Sequence, residues 1–111
     1  MQFRKKRLEK AITFHVNDWL RSYYDDPDIV SNVSLTGVIV ADDLSYVKLY
    51  VHWNRSSLEK DLLPILEQQS FKVRKLLAAA LSFKRAPVVK FYYDEERDEF
   101  NNLCQVMAEI N

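Results

Sequence analysis

Positions 8, 11, 12, 15, 16, 19, 20 and 23 carry Leu, Ala, Ile, His, Val, Trp, Leu and Tyr. The alternating spacing of three and four predicts an amphipathic helix over residues 4–24. Asp25-Asp26-Pro27-Asp28 should stop it, because the residue before a proline disfavours the α region. Residues 33–41 are mostly β-branched and begin by alternating, which predicts a strand. Asp42 to Ser45 read as a turn. Residues 46–53 alternate strictly, with Val47, Leu49, Val51 and Trp53 on one side and Tyr46, Lys48, Tyr50 and His52 on the other. The short connection makes the two strands an antiparallel hairpin.

Ser56 stands three residues before Glu59, a capping-box pattern that predicts a helix start. Pro64 should kink or break that helix near residues 60–64. Apolar spacing resumes at Ile65, Leu66, Val73, Leu76, Leu77, Ala80 and Leu81, which predicts helix to about residue 82. Gln68-Gln69-Ser70 is a second weak point, since it carries no apolar anchor. Val88 to Tyr93 read as a third strand. Asp94 is placed to cap a last helix, with Glu95 and Glu96 favouring its N-terminal dipole. Phe100, Leu103, Met107 and Ile110 form the stripe by which that helix should pack inward. Cys104, beside Leu103, is expected there as a small buried hydrophobe. The order α-β-β-α-α-β-α predicts a two-layer α+β domain over residues 1–111, with a three-stranded sheet and helices on one face. The crossover from second to third strand is long enough to make them parallel.

Composition narrows the function classes. The chain has 111 residues with a single glycine, which leaves no Gly-rich phosphate loop. One cysteine leaves no intramolecular disulfide and no multi-cysteine zinc site. No apolar run is long enough to span a bilayer, and no signal-peptide stretch follows the basic start, so a soluble cytoplasmic protein is expected. The 16 basic and 16 acidic side chains cancel, but unevenly. Residues 1–90 hold 15 basic against 10 acidic, a net of +5, and residues 91–111 hold one against six, a net of −5. Local patches set the field at a surface, so a polyanionic partner is compatible with zero net charge.

Catalytic constellations are missing. His15 reads as a core-edge histidine, and nothing near His52 in sequence completes a triad. Asp42-Asp43 and the run from Asp94 to Glu99 lack the spacing and glycine of a calcium loop. No enzyme, metal, cofactor, small-molecule substrate or membrane is expected. Phosphate binding is the chemistry that does fit, since it needs Lys and Arg grouped on a surface. Arg4, Lys5, Lys6, Arg7 and Lys10 form one group; Lys72, Arg74, Lys75, Lys84 and Arg85 form another. Tyr46 and Tyr50 around Lys48 read first as an ordinary cross-strand ladder and second as a base-stacking surface.

Four stretches resemble the ribosome-binding factor A family. Arg4-x-x-Arg7 opens a first helix that ends at Asp26-Pro27. Ala41-Asp42-Asp43-Leu44-Ser45-Tyr46-Val47-Lys48-Leu49-Tyr50-Val51 is similar to the family's small-x-Asp-Leu-x-x-Ala-Lys-Val-Tyr-Val stretch. Val73-Arg74-Lys75-Leu76-Leu77 is similar to its Ile-Arg-x-x-Leu helix, and Lys84 to Asp94 to its Arg-x-x-Pro-x-Leu-x-Phe-x-x-Asp signature. Lys84 replaces the signature Arg, and Asp28 the usual Arg after Asp-Pro. Gln69-Ser70-Phe71 stands where the family has Ala-x-Gly, so the inter-helix kink is expected to be shallower or displaced to Pro64.

The resemblance implies a KH-like (type II) fold and a factor that assists late maturation of the small ribosomal subunit and processing of its RNA. The expected partners are that subunit and its ribosomal RNA, bound by a protein that is a monomer when free. The RNA-binding residues implied are Arg4, Lys5, Arg7, Lys10, Gln69, Ser70, Lys72, Arg74, Lys75, Lys84 and Arg85. The alternative is a KH-like protein-interaction module that uses its acidic terminal helix, and a weaker one is a hydrolase acting through His52 or Cys104.

Overall fold

The computed structural model describes residues 2–22, 32–54, 61–81, 83 and 85–110, with residues 2–4, 105–106 and 108–110 described as backbone only. The stop expected at Asp25 to Asp28 and the capping box at Ser56 and Glu59 lie outside the described residues, as do Lys84 and the Arg4 side chain.

Helix α1 spans Gln2–Arg21. Its Ile12, Val16 and Leu20 are buried, one turn apart each, and Leu8 and Trp19 flank them. This stripe lies against strand β1 (Ser34–Val40). Strand β2 (Tyr46–His52) runs antiparallel to β1, and β3 (Val88–Tyr93) pairs parallel to β2, giving the order β1-β2-β3. In the hairpin turn the Leu44 N–H donates to the Ala41 carbonyl at 2.9 Å, and Leu44 takes a left-handed φ of 62°. Asp43 accepts hydrogen bonds from both the N–H and the hydroxyl of Ser45, at 3.0 and 2.6 Å. Those bonds favour the ionised carboxylate and hold the Asp43 carboxyl below its ordinary value.

Alternation along the strands makes the two-layer core. Val47, Leu49 and Val51 from β2 and Val89 and Phe91 from β3 point inward. They meet Leu62, Leu66, Val73 and Leu77 from the crossover, all fully buried. Each such side chain contributes about 1.5–3 kcal/mol relative to exposure in water.

Asp61 and Leu62 are not helical, within the stretch 60–64 where Pro64 predicts a break, but the inter-helix kink is not displaced to Pro64. Helix α2 (Leu63–Gln68) begins at this proline, which stands in its first turn, where a missing N–H costs nothing. The break falls five residues later, at Gln69 (φ −98°, ψ 2°), and α3 follows as Ser70–Ala80. It therefore sits at the weak point Gln68-Gln69-Ser70, without a glycine. Leu81 is extended, so α3 ends just short of the predicted residue 82.

Asp94 caps helix α4 (Glu95–Ile110) by accepting the Arg97 N–H at 3.0 Å. The predicted inward packing of this helix is not what the structure shows. Phe100, Leu103 and Met107 are 56–58% exposed, and Cys104 is exposed rather than buried. The reason is geometric: among the described residues, α4 is held by its first turn alone. Asp98 meets His52 Nε2 at 2.8 Å and the Tyr93 hydroxyl at 2.7 Å, and Asp94 accepts from Thr36 at 2.6 Å. Beyond that turn no described element packs along the helix.

Candidate nucleic-acid interface

Helices α1 and α3 pack beside each other in one layer, so both basic groups stand on neighbouring helices. On α1, Lys6, Arg7 and Lys10 are exposed. Lys6 and Lys10 line an open groove of about 460 Å³ with Glu9, Thr13 and Val38 of β1. Lys5 is engaged instead, donating to Asp42 in the hairpin turn at 2.8 Å. That hydrogen bond raises the Lys5 ammonium above its usual pKa.

On α3, Lys72 and Lys75 are exposed, and Lys75 Nζ lies 5.9 Å from the centre of the Phe71 ring. Phe71 itself is 53% exposed. With Ser70, Arg74, Val88 and Val89 it lines a cleft of about 140 Å³ between the inter-helix break and β3. Arg85 is exposed nearby in sequence. Among the described residues no carboxylate lies within ion-pair distance of Lys6, Arg7, Lys10, Lys72, Lys75 or Arg85.

Three expected contact residues have internal duties. Arg74 donates through Nε and Nη2 to the Ala86 carbonyl, at 3.3 and 3.1 Å, and so ties the loop before β3 to α3. The Ser70 hydroxyl donates to the Glu67 carbonyl at 2.8 Å. Gln69 Oε1 is buried with no hydrogen-bond partner among the described residues, so the acceptor end of this amide faces the protein. The Ser70 bond is local, whereas sequence spacing carries no signal for the bond from Arg74 to Ala86, 12 residues apart. The same holds for His52–Asp98, 46 residues apart. Among the described residues no three His, Cys, Asp or Glu side chains stand together as a metal site, and no helix is long and apolar enough to cross a membrane.

A mixed sheet with helices on one face and a broken helix pair in the crossover defines a two-layer KH-like domain of type II. Comparison with known proteins narrows the class. The profile of ribosome-binding factor A matches residues 4–107. Ribosome-binding factor A of Desulforamulus reducens is 30% identical over 112 aligned positions, covering 100% of this chain and 92% of the relative. A Thermotoga maritima protein of this kind, solved in solution, superposes with a TM-score of 0.68 at 24% identity, over 83% of this chain and 88% of that one. A homology model of Thermus thermophilus ribosome-binding factor A, as fitted into the electron cryo-microscopy map of a 30S complex with that factor, superposes with a TM-score of 0.63 at 21% identity, over 78% of this chain and 90% of that one. The chain belongs to the ribosome-binding factor A family.

Proposed function

We propose that this protein binds the maturing small ribosomal subunit through its RNA and assists late maturation and processing of that RNA. The observation that carries the reading is the pair of basic groups on adjacent helices, Lys6, Arg7 and Lys10 on α1 and Lys72 and Lys75 on α3, with no carboxylate within ion-pair distance of them among the described residues. Lysines and arginines so placed contact phosphates and position the domain on RNA without reading its sequence. Arg85 extends the α3 group, and Arg4 and Lys84 belong to the same contact set by their place in the sequence. A Thermus thermophilus relative fitted into a 30S complex supports the choice of partner. The action is occupancy: residues 1–111 work as one domain in the cytoplasm, monomeric when free and without a cofactor.

Co-sedimentation tests the reading. Tagged protein should travel with free small subunits on a sucrose gradient at low salt and leave them at high salt, as counterion release requires. Migration at the top of the gradient at both salts overturns it. The exposed stripe on acidic α4 favours a second reading, a protein contact through residues 95–107, which would persist when Lys72 and Lys75 are reversed in charge.

A further inference from the structure

Apart from the first turn of α4 at its His52 end, the face of the sheet opposite the helices has no described element packed on it. The pairing register decides what it displays. Tyr46, Lys48 and Tyr50 point outward from β2, next to Val88, Lys90 and Tyr92 of β3. The Tyr50 and Tyr92 rings stack with centroids 5.5 Å apart and planes at 27°. Lys48 Nζ lies 5.6 Å from the Tyr46 ring centre and 5.8 Å from that of Tyr92; Lys90 Nζ lies 5.5 Å from Tyr92.

Lys48 and Lys90 are register partners, so two cations stand directly across from each other. Like charges so placed oppose strand pairing. No described carboxylate lies within ion-pair distance of either. Among the described residues the tyrosine faces hold them, by attraction of a cation to the ring quadrupole. Among the described residues such a surface lacks a paired anion, and it offers flat aromatic faces beside the place where the anion would sit.

We propose that this open sheet face is a second RNA site that takes an unpaired segment, with bases laid on the Tyr46, Tyr50 and Tyr92 rings and phosphates at Lys48 and Lys90. Single-stranded nucleic acid is the polyanion that carries a π-face on every unit, and aromatic platforms interleaved with cations are how proteins bind it without sequence preference. A duplex hides its base faces and fits only the charge. The acidic first turn of α4 fixes the direction of the site. Asp94 and Asp98 stand at the His52 end and repel phosphates, which confines the strand to the half running from Tyr46 and Val88 to Tyr92. Exposed Ile39 and Val88 extend the apolar floor there. The inference rests on the RNA-binding reading above, but it concerns the other face of the domain.

The test is fluorescence anisotropy with a short labelled oligouridylate, using the full chain. The double variant Tyr50→Leu/Tyr92→Leu should lose about tenfold or more in affinity, since each lost base–aromatic stack is a large term. Lys48→Gln/Lys90→Gln should lower the salt slope by about two, one per phosphate contact. Thermal melting checks that each variant is folded, and the lysine pair, being at the surface, serves if the tyrosine pair is not. Unchanged affinity and slope in the folded variants overturn the proposal. So does displacement of the RNA by polyglutamate at equal charge concentration, which would mean charge alone is read. If the wild-type chain ignores the oligonucleotide yet co-sediments with small subunits, the sheet site fails and the helix-face reading stands. If it binds the oligonucleotide but never co-sediments, the sheet site stands alone.

Discussion

Glu67 Oε1 accepts the main-chain N–H of Phe91 at 2.7 Å, so a side chain from α2 closes the free edge of β3. The parallel ladder explains why a partner is needed. Val88 and Asp94 turn their N–H groups to β2, bonding Ser45 and Val51, and the alternate residue Phe91 therefore turns its own outward. An unbonded edge invites pairing with other chains. Glu67→Ala should cost about 1–3 kcal/mol, the penalty for a donor left unsatisfied. Glu67→Gln, which keeps an acceptor oxygen, should cost less. Urea denaturation of the two variants measures this, and equal losses would place the effect in packing instead.

Arg74 and the lysines beside it should separate by phenotype. Arg74→Lys removes the two-point bond to Ala86 and should lower stability by about 0.5–1.5 kcal/mol. Lys72→Glu/Lys75→Glu should leave the melting temperature nearly unchanged and weaken subunit association at low salt, with a salt slope smaller by about two. A melting temperature that falls with the lysine pair would argue for a structural role.

Asp43 gives a pH dependence with a defined sign. Its carboxyl is held low by the Ser45 hydroxyl and N–H, so the stabilisation is present above the unfolded carboxyl's pKa. It is lost as pH falls through the lower, folded value. Ser45→Ala removes the larger of these contributions. The Asp43 carboxyl should then titrate nearer its ordinary value by NMR, and the variant should lose less stability on acidification. An unmoved titration would mean the hydroxyl contributes nothing.

Gly37, the chain's one glycine, should tolerate a side chain. It has no positive φ, and a Cβ there would sit 3.7 Å from Tyr50 Cβ and 3.8 Å from its Cδ2, ordinary contact distances. Gly37→Ala should stabilise by about 0.4–1 kcal/mol through the unfolded chain. Thermal unfolding that shifts downward would show that the register irregularity between Leu35 and Gly37 requires glycine.

The exposed stripe of α4 predicts unusual tolerance. Leu103→Ala should change stability by under about 0.5 kcal/mol, whereas Leu66→Ala in the core should cost about 2–5 kcal/mol. The Cys104 thiol should react with a disulfide reagent in the native protein at nearly the unfolded rate. Slow reaction would mean that the helix is covered in solution.

These contrasts show what the sequence carried and what it did not. The strand β3 was legible residue for residue, because Pro87, the β-branched pair Val88-Val89 and the capping Asp94 are local signals. The break at Gln69 was legible as a lapse in apolar spacing, while the alternative of a kink displaced to Pro64 failed, since a proline in the first turn starts a helix rather than kinking it. The α4 stripe was a true amphipathic pattern. Periodicity says which residues share a face, yet not whether a second layer exists beneath it. At the interface, local composition found the cations, and only the fold revealed that Arg74, Ser70 and Lys5 were already spoken for by Ala86, Glu67 and Asp42.

The mixed sheet also joins one local pairing to one non-local pairing. The β1–β2 hairpin closes across one short turn, whereas β3 reaches β2 only across the crossover that carries α2 and α3. Until β3 has paired, β2, with Val47, Leu49 and Val51 uncovered, is the sticky margin of a half-built domain. A substitution that slows this non-local closure should therefore lower the soluble yield through chains caught on one another, while the molecules that do finish melt as usual.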